Sequence, residues 1–135
     1  MITNGMGASM AIDDLITQFG GKTANFLDMF GDSSVEDAYE GLTLLEFDER
    51  VKCIVVNVFC GIFEVMPFVK ALVNAKRLDI LKKPLVLRVK GHMEDEARKE
   101  LQAFQEQEIE KKGKSSVYIC DEMDEAALLA VKLSI

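Results

Sequence analysis

The stretch that decides the fold is "CIVVNVFCGIFEV", Cys53 to Val65. Its first half is continuous, apolar and β-branched, the pattern of a central parallel strand covered by helices on both faces. It then narrows to the pair Cys60-Gly61 and passes into residues with helical spacing. Small residues at such a junction serve either a tight turn or the close approach of an anion to the backbone. A helix start offers that anion free N–H groups and the positive end of the helix dipole.

Working outward, apolar runs alternate with amphipathic ones. Toward the amino end, Met10, Ile12, Leu15, Ile16 and Phe19 recur at helical spacing over 9–19, and Gly20-Gly21 stops them. "ANFLDMF" (24–30) is a short strand candidate. "SSVEDAYEGLTLLEFDE" (33–49) opens with serine caps and first-turn acids, then carries a stripe of Val35, Ala38, Leu42 and Leu45. The opening "MIT" is too short to pair as a core strand, which leads us to expect a start within a longer parent.

Toward the carboxyl end, "EVMPFVKALVNAKRLDIL" (64–81) is helical, with Pro67 in a first-turn position where its missing N–H does little harm. "PLVLRVKG" (84–91) is a strand. "MEDEARKELQAFQEQEIEKKGK" (93–114) is a long helix, acidic at its start and basic at its end, and its tail "EQEIEKKGK" reads as solvated. "SSVYICD" (115–121) and "MDEAALLAVKLSI" (123–135) give a last strand and a last helix. Strand and helix alternate about five times, which argues for one α/β domain over 1–135: a parallel sheet with helices on both faces.

The totals fit this. The chain has 135 residues, 49% hydrophobic and 29% charged, enough for one good core. A net charge of −7 argues against nucleic acid and anionic membranes as main partners, and no run approaches a membrane span. No basic-then-apolar leader opens the chain. The three cysteines Cys53, Cys60 and Cys120 have no CxxC spacing and His92 is the lone histidine, so neither zinc nor a disulfide framework is expected.

In an open parallel sheet, ligands collect beyond the carboxyl ends of the strands. Four junctions lie there: "TNGMGA" (3–8), "LDMFGDSS" (27–34), "NVFCGIF" (57–63) and "VKGHMED" (89–95). Several combine glycine with small or polar residues ahead of a helix. His92 has no nucleophile or base beside it in sequence and reads as a surface histidine. Glu94, Asp95 and Glu96 read as first-turn helix acids rather than a magnesium site.

"ITNGMGASMAIDDLITQFGGKTANFLDMFG" (2–31), "VKCIVVNVFCGIF" (51–63), "PLVLRVKG" and the closing "DEAA" helix follow one another as in a known family. In that order they resemble the carboxy-terminal domain of the β subunit of succinate–CoA ligase. The resemblance covers essentially the whole chain. It implies a flavodoxin-like three-layer sandwich that pairs with an α subunit carrying a phosphorylated histidine and binding coenzyme A. It also implies that Asn4, Gly61, Ile62 and Phe63 contribute to binding succinate, and that Cys60, Gly61 and Ile62 form a helix start facing the phosphohistidine and phosphate. No catalytic side chain is expected in this chain, which should be inactive alone. Magnesium and ATP or GTP belong to a separate amino-terminal ATP-grasp domain. Localisation would follow the family: mitochondrial matrix in a eukaryote, cytoplasm in a bacterium.

Three departures stand out. Phe30-Gly31-Asp32 replaces a triple glycine, adding bulk and negative charge where an anion would sit. Cys60 replaces a glycine, either as a tolerated small residue or as a thiol of lowered pKa near a helix amino end. Thr23 replaces a proline. These leave two other readings open: a non-catalytic binding or regulatory relative, or a ligase subunit acting on malate or citrate.

Overall fold

A computed structural model of the chain describes residues 1–29, 34–61 and 64–135. The elements run β1 (Ile2–Thr3), α1 (Met6–Gln18), β2 (Leu27–Asp28), α2 (Val35–Phe47), β3 (Ile54–Cys60), α3 (Val65–Arg77), β4 (Leu85–Gly91), α4 (Glu94–Lys112), β5 (Val117–Ile119) and α5 (Met123–Leu133). All strand pairs are parallel, in the order β2-β1-β3-β4-β5. The chain thus steps from β1 outward to β2, then returns to the other side of β1. That reversal makes β1/β3 the switch point, where a flavodoxin-like sheet opens a crevice at its carboxyl edge.

Side chains on β3 alternate between two cores. Ile54, Val56, Val58 and Cys60 pack with α2, α3 and α4, among them Leu42, Leu72 and Leu101. Val55 packs with Ile12 and Ile16 of α1 and with Ala126, Ala127 and Ala130 of α5. The long apolar strand seen in sequence is therefore covered on both faces, and each fully buried Val, Leu or Ile contributes on the order of 1.5–3 kcal/mol. Ser34 caps α2 through Asp37 in a reciprocal capping box, as its serines and acids foretold.

The structure corrects four expectations. The run "MIT" does pair as a core strand: Ile2 sits between Leu27 and Val56, and its side chain is fully buried. Two residues suffice because the ladder is prolonged at both ends. Leu27 N–H donates to Met1 O at 2.8 Å and Met29 N–H to Thr3 O at 2.7 Å, while the Asn4 side chain takes over toward β3. Helix α1 begins at Met6, three residues before Ser9. Val35 is exposed and does not belong to the buried stripe of α2.

The tail of α4 is not solvated throughout. Glu108 is only 6% exposed and continues the inward stripe of Ala97, Leu101 and Phe104. It accepts from Ser116 N–H at 2.8 Å and from the hydroxyls of Ser115 at 2.9 Å and Ser116 at 3.0 Å. Ser116 Oγ in turn receives Lys76 Nζ at 2.9 Å, and Lys76 also donates to Lys83 O at 2.7 Å. Burial lowers Lys76 to a pKa of about 8, although the charges of Glu108 and Glu46 pull it back up. Burial pushes the Glu108 carboxyl up, but the serine donors and the Lys76 charge outweigh it and hold it below its ordinary value.

A candidate carboxylate site at the β1/β3 switch point

Asn4 follows β1, and its side chain extends the sheet where the backbone ladder stops. Its Oδ1 accepts from Phe59 N–H at 2.8 Å and its Nδ2 donates to Phe59 O at 2.6 Å. One Nδ2 hydrogen and one Oδ1 lone pair remain for a ligand. Helix α1 starts directly after, with Gly5 at its N-cap in the left-handed region at φ 138°. No side chain caps this helix and no acid lies in its first turn. Gly5 N–H itself donates to Asp28 Oδ1 at 2.8 Å, tying the end of β2 to the same edge.

Across the switch point, β3 ends at Cys60, followed by the exposed Gly61. Among the described residues, a Cβ added at Gly61 would meet nothing nearer than a Phe59 ring carbon at 3.8 Å, and its φ lies outside the left-handed region. Among the described residues, neither packing nor backbone conformation requires a glycine here. Gly91, at the end of β4, is the opposite case. Its φ is 99°, and a Cβ there would lie 2.5 Å from Cys60 O. His92 N–H donates to Cys60 O at 2.6 Å, and Gly91 N–H donates to Glu94 Oε2 at 2.7 Å. The next residue, Met93, caps α4 in the left-handed conformation at φ 64°. A tight, strained turn therefore clamps the end of β4 onto the end of β3.

Asn4, Cys60 and Gly61 are brought together at this edge. Ile62, Phe63 and the departures Phe30, Gly31 and Asp32 lie outside the described residues. Helix α3 begins at Val65, so Cys60 and Gly61 are the strand end and its exit rather than helix residues. Of the two readings of Cys60, the tolerated small residue fits: burial pushes its thiol up to about 11 and the Glu94 charge adds to the rise. Buried and close to the Glu94 carboxylate, the thiol is held in its neutral form. Cys120 is likewise raised to about 11 by burial, with the charges of Glu125 and Asp121 adding to it. His92 is exposed at the rim, and among the described residues no group of three His, Cys, Asp or Glu could hold a metal.

A polar row that the sequence reading passed over crosses the sheet one step below this rim. Thr3 of β1 registers with Asn57 of β3, and Asn57 with Arg88 of β4. Thr3 is fully buried, Asn57 is 2% exposed, and Ser9 of α1 closes over Thr3 through a hydroxyl–hydroxyl hydrogen bond. Arg88 Nη1 donates to Asn57 Oδ1 at 3.0 Å, and Nε to Asp121 O at 3.0 Å. The signal was present in sequence: one asparagine inside "IVVNVF" and one arginine inside "LVLRV", polar residues in otherwise apolar strands.

A cavity lies elsewhere. It measures about 410 Å³ and sits at the amino edge, between the 20–25 loop, Arg50–Cys53 and the end of α5. Its lining holds Lys22, Arg50 and Lys52, but Arg50 is bound to Asp48 in a bidentate pair.

Comparison with known proteins places this geometry in a family. The CoA-ligase family matches residues 2–131. The chain is 37% identical to the succinate–CoA ligase [ADP-forming] subunit beta 2 of Archaeoglobus fulgidus, over 99% of this chain and 33% of that protein. It is 35% identical to the mitochondrial β subunit of Oryza sativa, over 99% of this chain and 30% of that protein. A match to the β subunit of Campylobacter hominis, also 35% identical, covers 98% and 32%. The crystal structure of PH0766 from Pyrococcus horikoshii superposes with a TM-score of 0.79 over 98% of this chain and 34% of that one. At 17% identity that likeness shows the α/β fold alone. The chain spans about a third of the length of the curated relatives it matches. On sequence and architecture together, this chain belongs to the CoA-ligase family.

Proposed function

We propose that this chain is the carboxy-terminal domain of a succinate–CoA ligase β subunit, and that its carboxyl edge binds the carboxylate substrate at an interface with an α-type subunit. The observation that carries the reading is Gly61. It is a glycine that, among the described residues, neither packing nor φ requires, exposed at the switch point beside an asparagine already oriented by the main chain of β3. A bare Cα there lets backbone N–H groups reach a negative group, a use of glycine that a packed turn would not need.

In this reading Asn4 orients the substrate, and Gly61 with Ile62 and Phe63 supplies backbone donors. The start of α1 adds the positive end of its dipole, with the Asp28 carboxylate already on the Gly5 N–H there. The ligase reaction joins succinate to coenzyme A at the expense of a nucleoside triphosphate. Magnesium and ATP or GTP would be held outside this chain, in the remaining part of a full-length β subunit, and the phosphohistidine on the α subunit. The chain alone would hold a carboxylate without activating it.

The test uses the full-length β subunit in complex with its α subunit, assayed for succinyl-CoA formation. Replacing Gly61 by Val should lower kcat/KM for succinate by about 100-fold while leaving the unfolding midpoint within a few degrees. Wild-type rates in G61V would remove Gly61 from the site. Activity with malate or citrate but not succinate would keep the site and change the substrate.

A further inference from the structure

We propose that Arg88, seated on Asn57, is a second anion-binding residue of this site, so that its ligand is a dianion gripped at two ends. The inference deepens the carboxylate reading above and rests on it. Arg88 stands at the carboxyl end of β4, half-buried on the face covered by α1 and α5. Its guanidinium is held in place by two neutral oxygens, Asn57 Oδ1 and Asp121 O. Among the described residues it has no carboxylate partner, and its Nη2 has no acceptor.

The surroundings keep that charge available. The neighbouring carboxylate, Asp121, is claimed by Lys90 at 3.1 Å and also by Arg98. Hydrogen bonding to Lys90 and the charge of Arg98 hold the Asp121 carboxyl below its ordinary value, so it stays ionised toward those two cations.

Asn57 supplies the second observation. At 2% exposure it is one of the most buried polar residues, yet only its Oδ1 is engaged among the described residues. Its Nδ2 is not among the buried polar atoms lacking a partner, so it reaches accessible space. With Oδ1 turned to β4, the NH2 group turns away from β4, on the side of β1 and the start of α1. A donor held in place by the strand and open to solvent can exchange water for a ligand oxygen. A carboxylate can take a bidentate bond from the guanidinium and a third from Asn57, a geometry lysine cannot reproduce. The far end of the molecule would meet Asn4 and Gly61.

The experiment titrates the α–β complex with succinate and with butyrate, a monocarboxylate of the same chain length, by calorimetry. Wild type, R88M and R88K are compared. Succinate affinity should fall by about tenfold or more in R88M and by less in R88K, while butyrate affinity changes less than about twofold. The succinate-to-butyrate ratio is an internal control, because a misfolded variant loses both. An unchanged ratio in both variants overturns the role of Arg88 and leaves the Gly61 site standing. A wild-type complex that binds neither acid overturns both.

Discussion

The two edges of this sheet carry buried and half-buried polar groups and use them in opposite ways. At the amino edge, Lys76, Ser116, Glu108 and Ser115 are spent on one another. At the carboxyl edge, Asn4, Asn57 and Arg88 are each fixed by one or two bonds and keep donors unspent. The 410 Å³ cavity is at the amino edge, so the presence of a cavity and ligand-readiness point to different ends of the molecule. The lesson is one of hydrogen-bond accounting: a saturated network holds the fold together, whereas an oriented but unsaturated one can hold something else.

The glycines at the carboxyl edge sharpen the comparison most. Gly91→Ala would drive a Cβ into Cys60 O in a backbone conformation that L side chains resist, and should cost about 3 kcal/mol or more in urea unfolding. Gly61→Ala, a few ångströms away, should stay within about 0.5 kcal/mol of wild type. Equal losses from the two would mean that both glycines serve the fold.

At the amino edge, Glu108→Ala should cost about 2–4 kcal/mol, since it strands the Ser116 N–H and the buried Lys76 charge. Substrate affinity in the α–β complex should be untouched once folding is allowed for. A change in affinity would show that the two edges are not independent.

The same network makes a pH prediction. Lys76 has a pKa of about 8 folded against an ordinary 10.5, so between these values the unfolded chain holds the extra proton. Stability should therefore rise across that window, by on the order of 2 kcal/mol relative to a Lys76→Met variant measured alongside. Glu108 acts in the opposite range: its carboxyl is held low when folded, so its contribution is present above pH 4.5 and is lost as the pH falls through the folded value. Parallel pH curves for wild type and K76M would contradict the buried placement of this lysine.

The smallest effect concerns strain. Met93→Gly should stabilise by about 0.5–1 kcal/mol, because glycine adopts the left-handed φ of 64° that Met93 resists. No gain would mean that the Met93 contacts offset that strain.

Much of this architecture was legible in the residues. The β-branched run before Cys60 announced a strand buried on both faces, and first-turn acids with Ser34 announced α2. Other features were not legible, for identifiable reasons. β1 is two residues long and is completed by a side chain, so no hydrophobic period reveals it. Glu108 looked solvated because its partners, Lys76 and Ser116, are remote in sequence and meet it only in the fold. The reactive alternative for Cys60 came from taking the strand's last residue for the helix start, whereas α3 begins at Val65. Gly61 stood out as a glycine where a buried strand ends and Asn4 came through motif resemblance, while Asn57 and Arg88 became visible only once the strand register placed them side by side.

The most direct test of the account is amide hydrogen exchange of the α–β complex with and without saturating succinate. New protection is predicted at residues 4–10, 57–61 and 88–93, with residues 20–25, 50–53 and 131–135 unchanged. Protection confined to the second group, around the amino-edge cavity, would contradict the claim that the carboxyl edge is where this chain meets its substrate.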